Sequence, residues 1–147
     1  MYTDFELFAA EAQQALHYAD ISHPRTLSHL EQAAGYYNGI YLSEDLYDAW
    51  TSYNRVHLQG LYVHVLKLLA EVYAARNKPC RAIYYCNRCL DLEPTDEAVV
   101  RLSMRLLVSQ GQRQKALGVY RQLVKTLSSE YNIVPEDETR YLYERII

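Results

Sequence analysis

An internal repeat with a period of 34 residues limits the folds that are open to this chain. Positions with the same expected role recur at this distance, and the clearest pairs are Leu66 with Val100, Asn77 with Gly111, Ala82 with Ala116, and Cys86 with Tyr120. A period of about 20 to 50 residues is typical of chains that stack copies of one small structural unit. A unit of this length accommodates two helices and a turn, so the repeat predicts antiparallel helix pairs.

Apolar residues along almost the whole chain recur at steps of three and four, which is the spacing of one helix face. The longest such pattern runs from about Trp50 to Ala75, and its members are Trp50, Tyr53, Leu58, Leu61, Val65, Leu69 and Val72. Glycine (5) and proline (4) are scarce, whereas all-β chains need many turns. The sequence therefore predicts an all-α fold.

Turn-forming residues divide this pattern into separate helices. Pro24 is placed to open one helix, and Asn38–Gly39 is expected to end it, because either residue tolerates a left-handed backbone conformation. Asn-Gly also suits a hairpin turn, but the flanking residues do not alternate as strands do. Pro79 is expected in the first turn of a later helix, where its missing N–H costs nothing, and Pro94 closes that helix.

The C-terminal half of the chain has similar boundaries. Thr95 is the expected N-cap of the next helix, and Gly111 marks the turn that follows it. Another helix is expected over about 113–129, with Gly118 inside it as a small-residue packing site or a weak spot. A last helix is expected to start at Pro135, which brings the total to about seven helices.

Composition and charge restrict the class of protein further. Half of the residues are hydrophobic and 22% are charged, so we expect a single folded domain over 1–147. The formal net charge of −3 argues against direct DNA binding by this chain, because phosphate binding favours a basic surface. No apolar run approaches the roughly 20 residues of a membrane span, and 1–7 lacks the plan of a signal peptide. Together with an odd number of cysteines (3), these features favour a cytoplasmic protein.

The cysteines and histidines raise the question of a metal site. Cys86 and Cys89 share one helix face, but structural zinc needs four closed ligands, and no histidine lies near them in sequence. We expect the cysteines to be structural and metal-free, with metal binding and redox chemistry as minor alternatives. Motifs for a nucleophile elbow, a phosphate-binding loop or a dinucleotide are also missing from the sequence. The sequence thus predicts no catalytic residue, no metal and no cofactor, and the chain is not expected to be an enzyme.

The 34-residue unit resembles the tetratricopeptide repeat. In the first copy the signature places are held by Leu66, Leu69, Ala70, Tyr73, Ala82, Cys86, Cys89 and Pro94. The second copy is degenerate, with Ser103, Met104 and Leu107 where leucine, a small residue and tyrosine are usual. The resemblance implies a right-handed α-solenoid of antiparallel helix pairs.

The same resemblance places a set of polar side chains in a groove. The first helix of each tetratricopeptide unit lines the concave face, and the groove-facing positions here are those of His64, Lys67, Glu71, Arg101 and Arg105. Arg101 and Arg105 are four residues apart and share a helix face. With Lys67 they predict a basic strip that binds an acidic peptide or helix, since arginine forks match carboxylates. A solvated helix face is the alternative.

Longer blocks of the chain resemble the bacterial transcriptional activator domain of regulators of the Streptomyces antibiotic regulatory protein type. The matching blocks are Tyr36–Gly39 with Leu42 and Trp50, Asp96–Glu97 with Arg101 and Met104–Leu107, Gly111–Leu117 with Tyr120, Leu127 with Glu130, Pro135 and Glu138–Thr139, and Tyr141–Ile146. Two positions depart from the family pattern. Asn132 stands where glycine is usual, and Asp137 stands where proline is common.

This resemblance implies a tetratricopeptide-like regulatory domain that contacts other proteins. The expected partners are the regulator's own winged-helix DNA-binding domain, a second copy of the chain in a homodimer, or the transcription machinery. It also implies that the chain is the C-terminal part of a longer regulator. A free-standing tetratricopeptide adaptor that binds an acidic peptide is the alternative.

Trp50 is expected to be a packing anchor at the start of the long helix.

Overall fold

The computed structural model of the protein describes residues 24–41 and 52–147, and these residues form helices and turns without a strand. Six α-helices follow one another in these ranges, and they are α1 (Pro24–Tyr41), α2 (Ser52–Ala75), α3 (Pro79–Leu92), α4 (Glu97–Ser109), α5 (Arg113–Thr126) and α6 (Asp137–Ile146). A π-helical turn, Leu127–Tyr131, continues α5 before the loop to α6. The prediction of an all-α protein is confirmed.

The chain divides into two compact units, Met1–Ala75 and Arg76–Ile147. In the first unit α1 and α2 pack against each other. Their fully buried apolar residues include Leu30, Ala33, Val65, Leu66, Leu69, Ala70 and Val72. The phenol of Tyr73, itself buried, donates a hydrogen bond to the carboxylate of Glu31 on α1. The helix pair is therefore held by apolar burial and by this polar contact.

The second unit has its own apolar core. Helix α3 packs on α4, α4 packs on α5, and α6 contacts both α4 and α5. The central cluster comes from α4, α5 and the π-helical turn, and it consists of Val100, Met104, Leu107, Ala116, Leu123 and Leu127. Helix α6 adds Leu142, Tyr143 and Ile146, which are only partly buried. The last helix is thus attached to the core with less apolar contact than the others.

The backbone reproduces the 34-residue period. Helices α2 and α4 end 34 residues apart, and α3 and α5 begin 34 residues apart. Asn77 and Gly111, at equivalent places in the two copies, both have a left-handed backbone, with φ of 59° and 73°. After α4 the turn is a Schellman motif, in which Gln112 N–H donates to the carbonyl of Leu107 at 2.8 Å. The 34-residue period predicted from sequence is therefore visible in the helix bounds and in the two left-handed turn residues.

Three predicted helix boundaries are wrong: the end of α1, the start of α4, and the start of α6, which begins at Asp137 and not at Pro135. Helix α1 continues through Asn38–Gly39 and ends at Tyr41, since these residues permit a left-handed turn without requiring one. The cap of α4 is Asp96, one residue after the predicted Thr95, and its carboxylate accepts a hydrogen bond from Val99 N–H at 3.4 Å. Either side chain serves as an N-cap, so sequence preference alone does not separate them.

Trp50, the expected packing anchor, lies outside the described residues.

The end of α5 also differs from the prediction and explains a departure from the family pattern. The α-helix ends at Thr126, and the π-helical turn carries the chain on to Asn132. Asn132 has a φ of 54°, in the left-handed region that glycine adopts without cost. Asparagine tolerates this conformation better than most other residues, which accounts for its presence where glycine is usual.

The predicted structural role of the cysteines gives a first testable prediction. Cys86 and Cys89 are fully buried, whereas Cys80 is exposed. Replacing Cys86 with serine is expected to lower the free energy of unfolding by about 1–3 kcal/mol, because a hydroxyl enters apolar packing. Urea denaturation measures the change. Cys80→Ser is the matched control and is expected to leave stability unchanged, so equal effects of the two substitutions would contradict the prediction.

Gly118 gives a second prediction. It lies inside α5, is exposed, and a Cβ atom built on it meets nothing within 4 Å. Of the two roles predicted for this glycine, packing is therefore excluded and the weak spot remains. Gly118→Ala is expected to raise the free energy of unfolding by about 0.5–1 kcal/mol, since alanine has the higher helix propensity. Gly111→Ala has the opposite expectation because of the positive φ, and the prediction fails if both variants melt at lower temperature than the parent.

Candidate partner-binding site

The five residues predicted to face a groove lie on two helices. His64, Lys67 and Glu71 are on α2, at steps of three and four that place them on one face. His64 and Glu71 are exposed, and Lys67 is half-buried. Arg101 and Arg105 lie on α4 in the second compact unit. Three of the predicted residues are thus on α2 and two are on α4, in different compact units.

Arg101 is engaged inside the molecule. Its side chain is only 13% exposed, and it reaches the N-terminal end of α6. One guanidinium nitrogen donates to Thr139 Oγ1 at 2.9 Å and lies 3.4 Å from Glu136 Oε2. The other lies 3.6 Å from Glu138 Oε2. We refer to Arg101, Glu136, Glu138 and Thr139 as the Arg101 clasp.

A backbone contact supports the clasp from the α4 side. The carboxylate of Glu97, in the first turn of α4, accepts a hydrogen bond from Glu136 N–H at 2.9 Å. Asp137 and Glu138 occupy the first turn of α6, where negative charge is favourable next to the free N–H groups. Thr139 is fully buried, so its hydroxyl depends on Arg101 for a partner. The clasp therefore fixes the start of the last helix against α4.

The other end of α6 is held by α5. Arg113 Nε donates to the carbonyl of Ile146 at 2.7 Å, next to the C-terminus of α6. The rings of Tyr120 and Tyr143 stack with centroids 4.1 Å apart and planes inclined by 12°. Burial, followed by the neighbouring Tyr143, raises the pKa of Tyr120 above its ordinary value. Its phenol is thus neutral at physiological pH and suits this half-buried stacking.

Arg105 differs from Arg101 although the two share a helix. It is exposed, and within the described residues no hydrogen bond or ion pair is formed by its guanidinium. The geometry therefore gives Arg101 a structural contact and leaves Arg105 accessible to a partner. The binding role predicted for Lys67, Arg101 and Arg105 as one basic strip stays a prediction.

The clasp is a feature that sequence reasoning missed. Arg101 lies 35 to 38 residues before the other members, a separation close to the repeat period. No partner was predicted from sequence for the acidic residues 136–138. One signal was available in the sequence. Arg101 precedes the acidic residues 136–138 by about one repeat length, so a basic and an acidic group occupy similar places in successive repeats.

Residues that bind metals do not cluster in the part of the chain that the structure describes, where no group of three or more His, Cys, Asp or Glu is placed to hold an ion. Over the same ranges none of the helices has both the length and the apolar character needed to cross a membrane.

The described residues define an all-α protein with equivalent left-handed turn residues 34 positions apart. The family model for the bacterial transcriptional activator domain matches residues 3–147. The chain therefore belongs to this family of domains from transcriptional regulators, and the family predicted from sequence is confirmed.

Among solved structures, Mycobacterium tuberculosis EmbR, determined in complex with a low-affinity phosphopeptide, has a similar fold. The TM-score is 0.62 at 22% sequence identity, and the match covers 97% of this chain. The chain spans 38% of the length of the EmbR chain. No curated protein matches the sequence.

Proposed function

We propose that this chain is the protein-contacting regulatory module of a bacterial transcription regulator of the Streptomyces antibiotic regulatory protein type. The observation that carries the proposal is the family match over residues 3–147. In this proposal a winged-helix domain of the same regulator reads the promoter, and the present chain passes the signal to other proteins in the cytoplasm. The chain performs no catalysis and holds no cofactor.

The exposed polar groups among the predicted groove positions are the proposed contact residues, and they form two separate groups, one on α2 in the first unit and one on α4 in the second. His64 and Glu71 on α2 and Arg105 on α4 are accessible, and Lys67 extends the α2 group. Arg101 contributes by fixing α6 beside α4, while Arg105 is available to bind a carboxylate of the partner. The partner is the regulator's own DNA-binding domain, a second copy of the chain or the transcription machinery. The peptide-bound state of EmbR supports a peptide or protein partner for a regulator that contains this fold.

A reporter assay tests the proposal. The chain is fused to an unrelated DNA-binding domain whose operator lies upstream of a weak bacterial promoter, and transcription is measured. We expect activation by the fusion and its loss in an Arg105→Glu variant. Arg145→Glu on α6 is the matched control, since Arg145 is equally exposed and the substitution changes the charge by the same amount. That control is expected to retain activity.

Two outcomes would contradict the proposal in different ways. A folded fusion that occupies its operator without activating shows that the chain is not sufficient to contact the transcription machinery, and sedimentation of the chain alone then decides whether it self-associates. If it does neither, the proposed module is wrong. If activation persists in Arg105→Glu, the regulatory role stands and the proposed contact residues are wrong.

A further inference from the structure

The two halves of the chain carry opposite charge. Residues 1–75 contain three Lys and Arg against nine Asp and Glu, a net charge of −6. Residues 76–147 contain twelve Lys and Arg against nine Asp and Glu, a net charge of +3. The net charge of the whole chain, −3, hides this segregation. An argument against nucleic acid that rests on the total charge therefore does not apply to the second unit.

The positive charge of this unit is concentrated on α5. The helix contains four basic residues and no acidic residue. Gln114, Gly118, Arg121 and Lys125 follow one another at steps of four, three and four, so they share one face. All four are exposed, and Lys115 lies at the margin of the same face. We refer to Lys115, Arg121 and Lys125 as the α5 cations.

The α5 cations are not used to hold the fold. Arg113, the remaining basic residue of α5, donates to Ile146, but none of the α5 cations forms an ion pair or hydrogen bond within the described ranges. Acidic residues elsewhere in the same unit do pair with basic ones, as in the Arg101 clasp. The face of α5 thus keeps its whole charge for a negatively charged partner.

Gly118 provides an independent observation. It lies between the α5 cations, and it weakens the helix without any packing reason, since a Cβ at this position would meet no side chain and no other element within 4 Å. Glycine at an exposed helix position lets a large partner approach the backbone closely. Because Gly118 has no side chain, a polyanion can lie across the helix at this position and contact the three cations around it.

We propose that the exposed face of α5 binds the sugar-phosphate backbone of duplex DNA without reading its sequence. This inference goes beyond the proposed protein contacts, and it revises the expectation that the chain has no direct contact with DNA. Apart from Gly118, the exposed residues over 114–125 are Lys, Arg and Gln, which commonly contact phosphate and sugar. In a regulator that is already on its promoter, such a face adds affinity and orients the module on the duplex.

The composition of the face favours duplex DNA over other acidic partners. Protein interfaces depend on a buried aromatic or aliphatic anchor, and the large hydrophobic residues that are exposed in the second unit lie outside α5. Single-stranded nucleic acid is bound by stacking on aromatic rings. The one ring of α5, that of Tyr120, is already stacked on Tyr143. Charge without an apolar anchor or a free ring fits a double-stranded backbone.

The test measures binding of the whole 147-residue chain to a fluorescein-labelled duplex of arbitrary sequence by fluorescence anisotropy. At 50 mM salt the parent is expected to bind, and the dissociation constant should rise into the range of about 10⁻⁶ to 10⁻⁴ M near physiological salt. The variant Lys115→Gln/Arg121→Gln/Lys125→Gln is expected to bind at least about tenfold more weakly at 50 mM salt, with a salt slope lower by about 2.7. Arg76→Gln/Lys78→Gln/Arg145→Gln removes the same charge from other exposed positions and is the matched control.

Three results would overturn the inference. They are no binding of the duplex by the parent at 50 mM salt, an equal loss in the two triple variants, and binding of polyglutamate in preference to the duplex. The last result assigns the face to an acidic protein. Circular dichroism shows whether each variant is folded, and Gly118→Glu, which leaves the α5 cations in place, is expected to weaken duplex binding as a second variant. The reporter assay on Arg105→Glu is unaffected by these outcomes, so the two proposals fail separately.

Discussion

Arg101→Glu is expected to lower the free energy of unfolding by about 3 kcal/mol or more, because it places a carboxylate in a mostly buried site that is built for a guanidinium. The new side chain would face the carboxylates of Glu136 and Glu138, and that of Glu97 lies close by. Thr139 would also lose the donor to its buried hydroxyl. Denaturation in urea, followed by circular dichroism, measures the loss.

A milder variant and a matched control separate charge from packing. Arg101→Met keeps the aliphatic stem of the side chain and removes the donors, so we expect a loss of about 1–3 kcal/mol. Arg105→Glu makes the same charge change one helical turn away at an exposed position, and it is expected to alter stability by no more than about 0.5 kcal/mol. If Arg101→Glu unfolds at the same urea concentration as Arg105→Glu, the clasp does not stabilise the protein.

The clasp also decides how binding data on the predicted basic strip should be interpreted. An Arg101 variant that fails to bind a partner has a displaced α6 as the simplest cause, since the side chain is 13% exposed. Hydrogen exchange in α6 detects that displacement directly. Arg105 variants lack this complication, so they are the informative ones for partner binding.

The sequence predicted those parts of the fold that depend on local pattern. The equivalent turns at Asn77 and Gly111 require a left-handed backbone, which few residues adopt readily, so they were found from residue type and spacing. The burial of Cys86 and Cys89 followed from the 34-residue period in the same way. These features are set by neighbours along the chain, and a single sequence is sufficient to recognise them.

Features that depend on distant contacts were not predicted. Asp96 and Thr95 are both good N-caps, so residue preference alone does not choose Asp96. The Arg101 clasp depends on the left-handed Asn132 and the loop after it, which bring the acidic start of α6 to α4. The charged face of α5 was missed for a different reason, because the total charge concealed the difference between the two halves of the chain.

Met104→Ala is expected to lower the free energy of unfolding by about 2–5 kcal/mol. The variant tests whether the packing of this side chain or the usual residue pattern of the repeat determines stability. In the first copy of the repeat the large Leu69 precedes the small Ala70, and all four positions of the two copies are buried. In the second copy the order of sizes is reversed, with the small Ser103 before the large Met104. Alanine at 104 therefore restores the small residue that is usual at this position of the repeat, while it removes a large side chain from the core.

The packing around Met104 indicates that the loss of core contacts outweighs any gain from the usual repeat residue. Met104 is fully buried in the cluster of α4, α5 and the π-helical turn, and the adjacent Ser103 hydroxyl has no hydrogen-bond partner among the described residues. A side chain that shares its cluster with Val100, Leu107 and Leu123 leaves a cavity when truncated, since Ser103 is too small to fill the space. The consensus of the repeat would instead predict an unchanged or raised stability for Met104→Ala.

Met104→Leu is the control, because it nearly conserves volume and should cost less than about 1.5 kcal/mol. Ser103→Ala removes an unpaired buried hydroxyl and is expected to leave stability unchanged or to raise it slightly. Urea midpoints of the three variants give the comparison in one experiment. If Met104→Ala is as stable as Met104→Leu, the second unit tolerates the loss of its central side chain by closing around it. The usual repeat pattern, rather than the present packing, would then govern the stability of this helix pair.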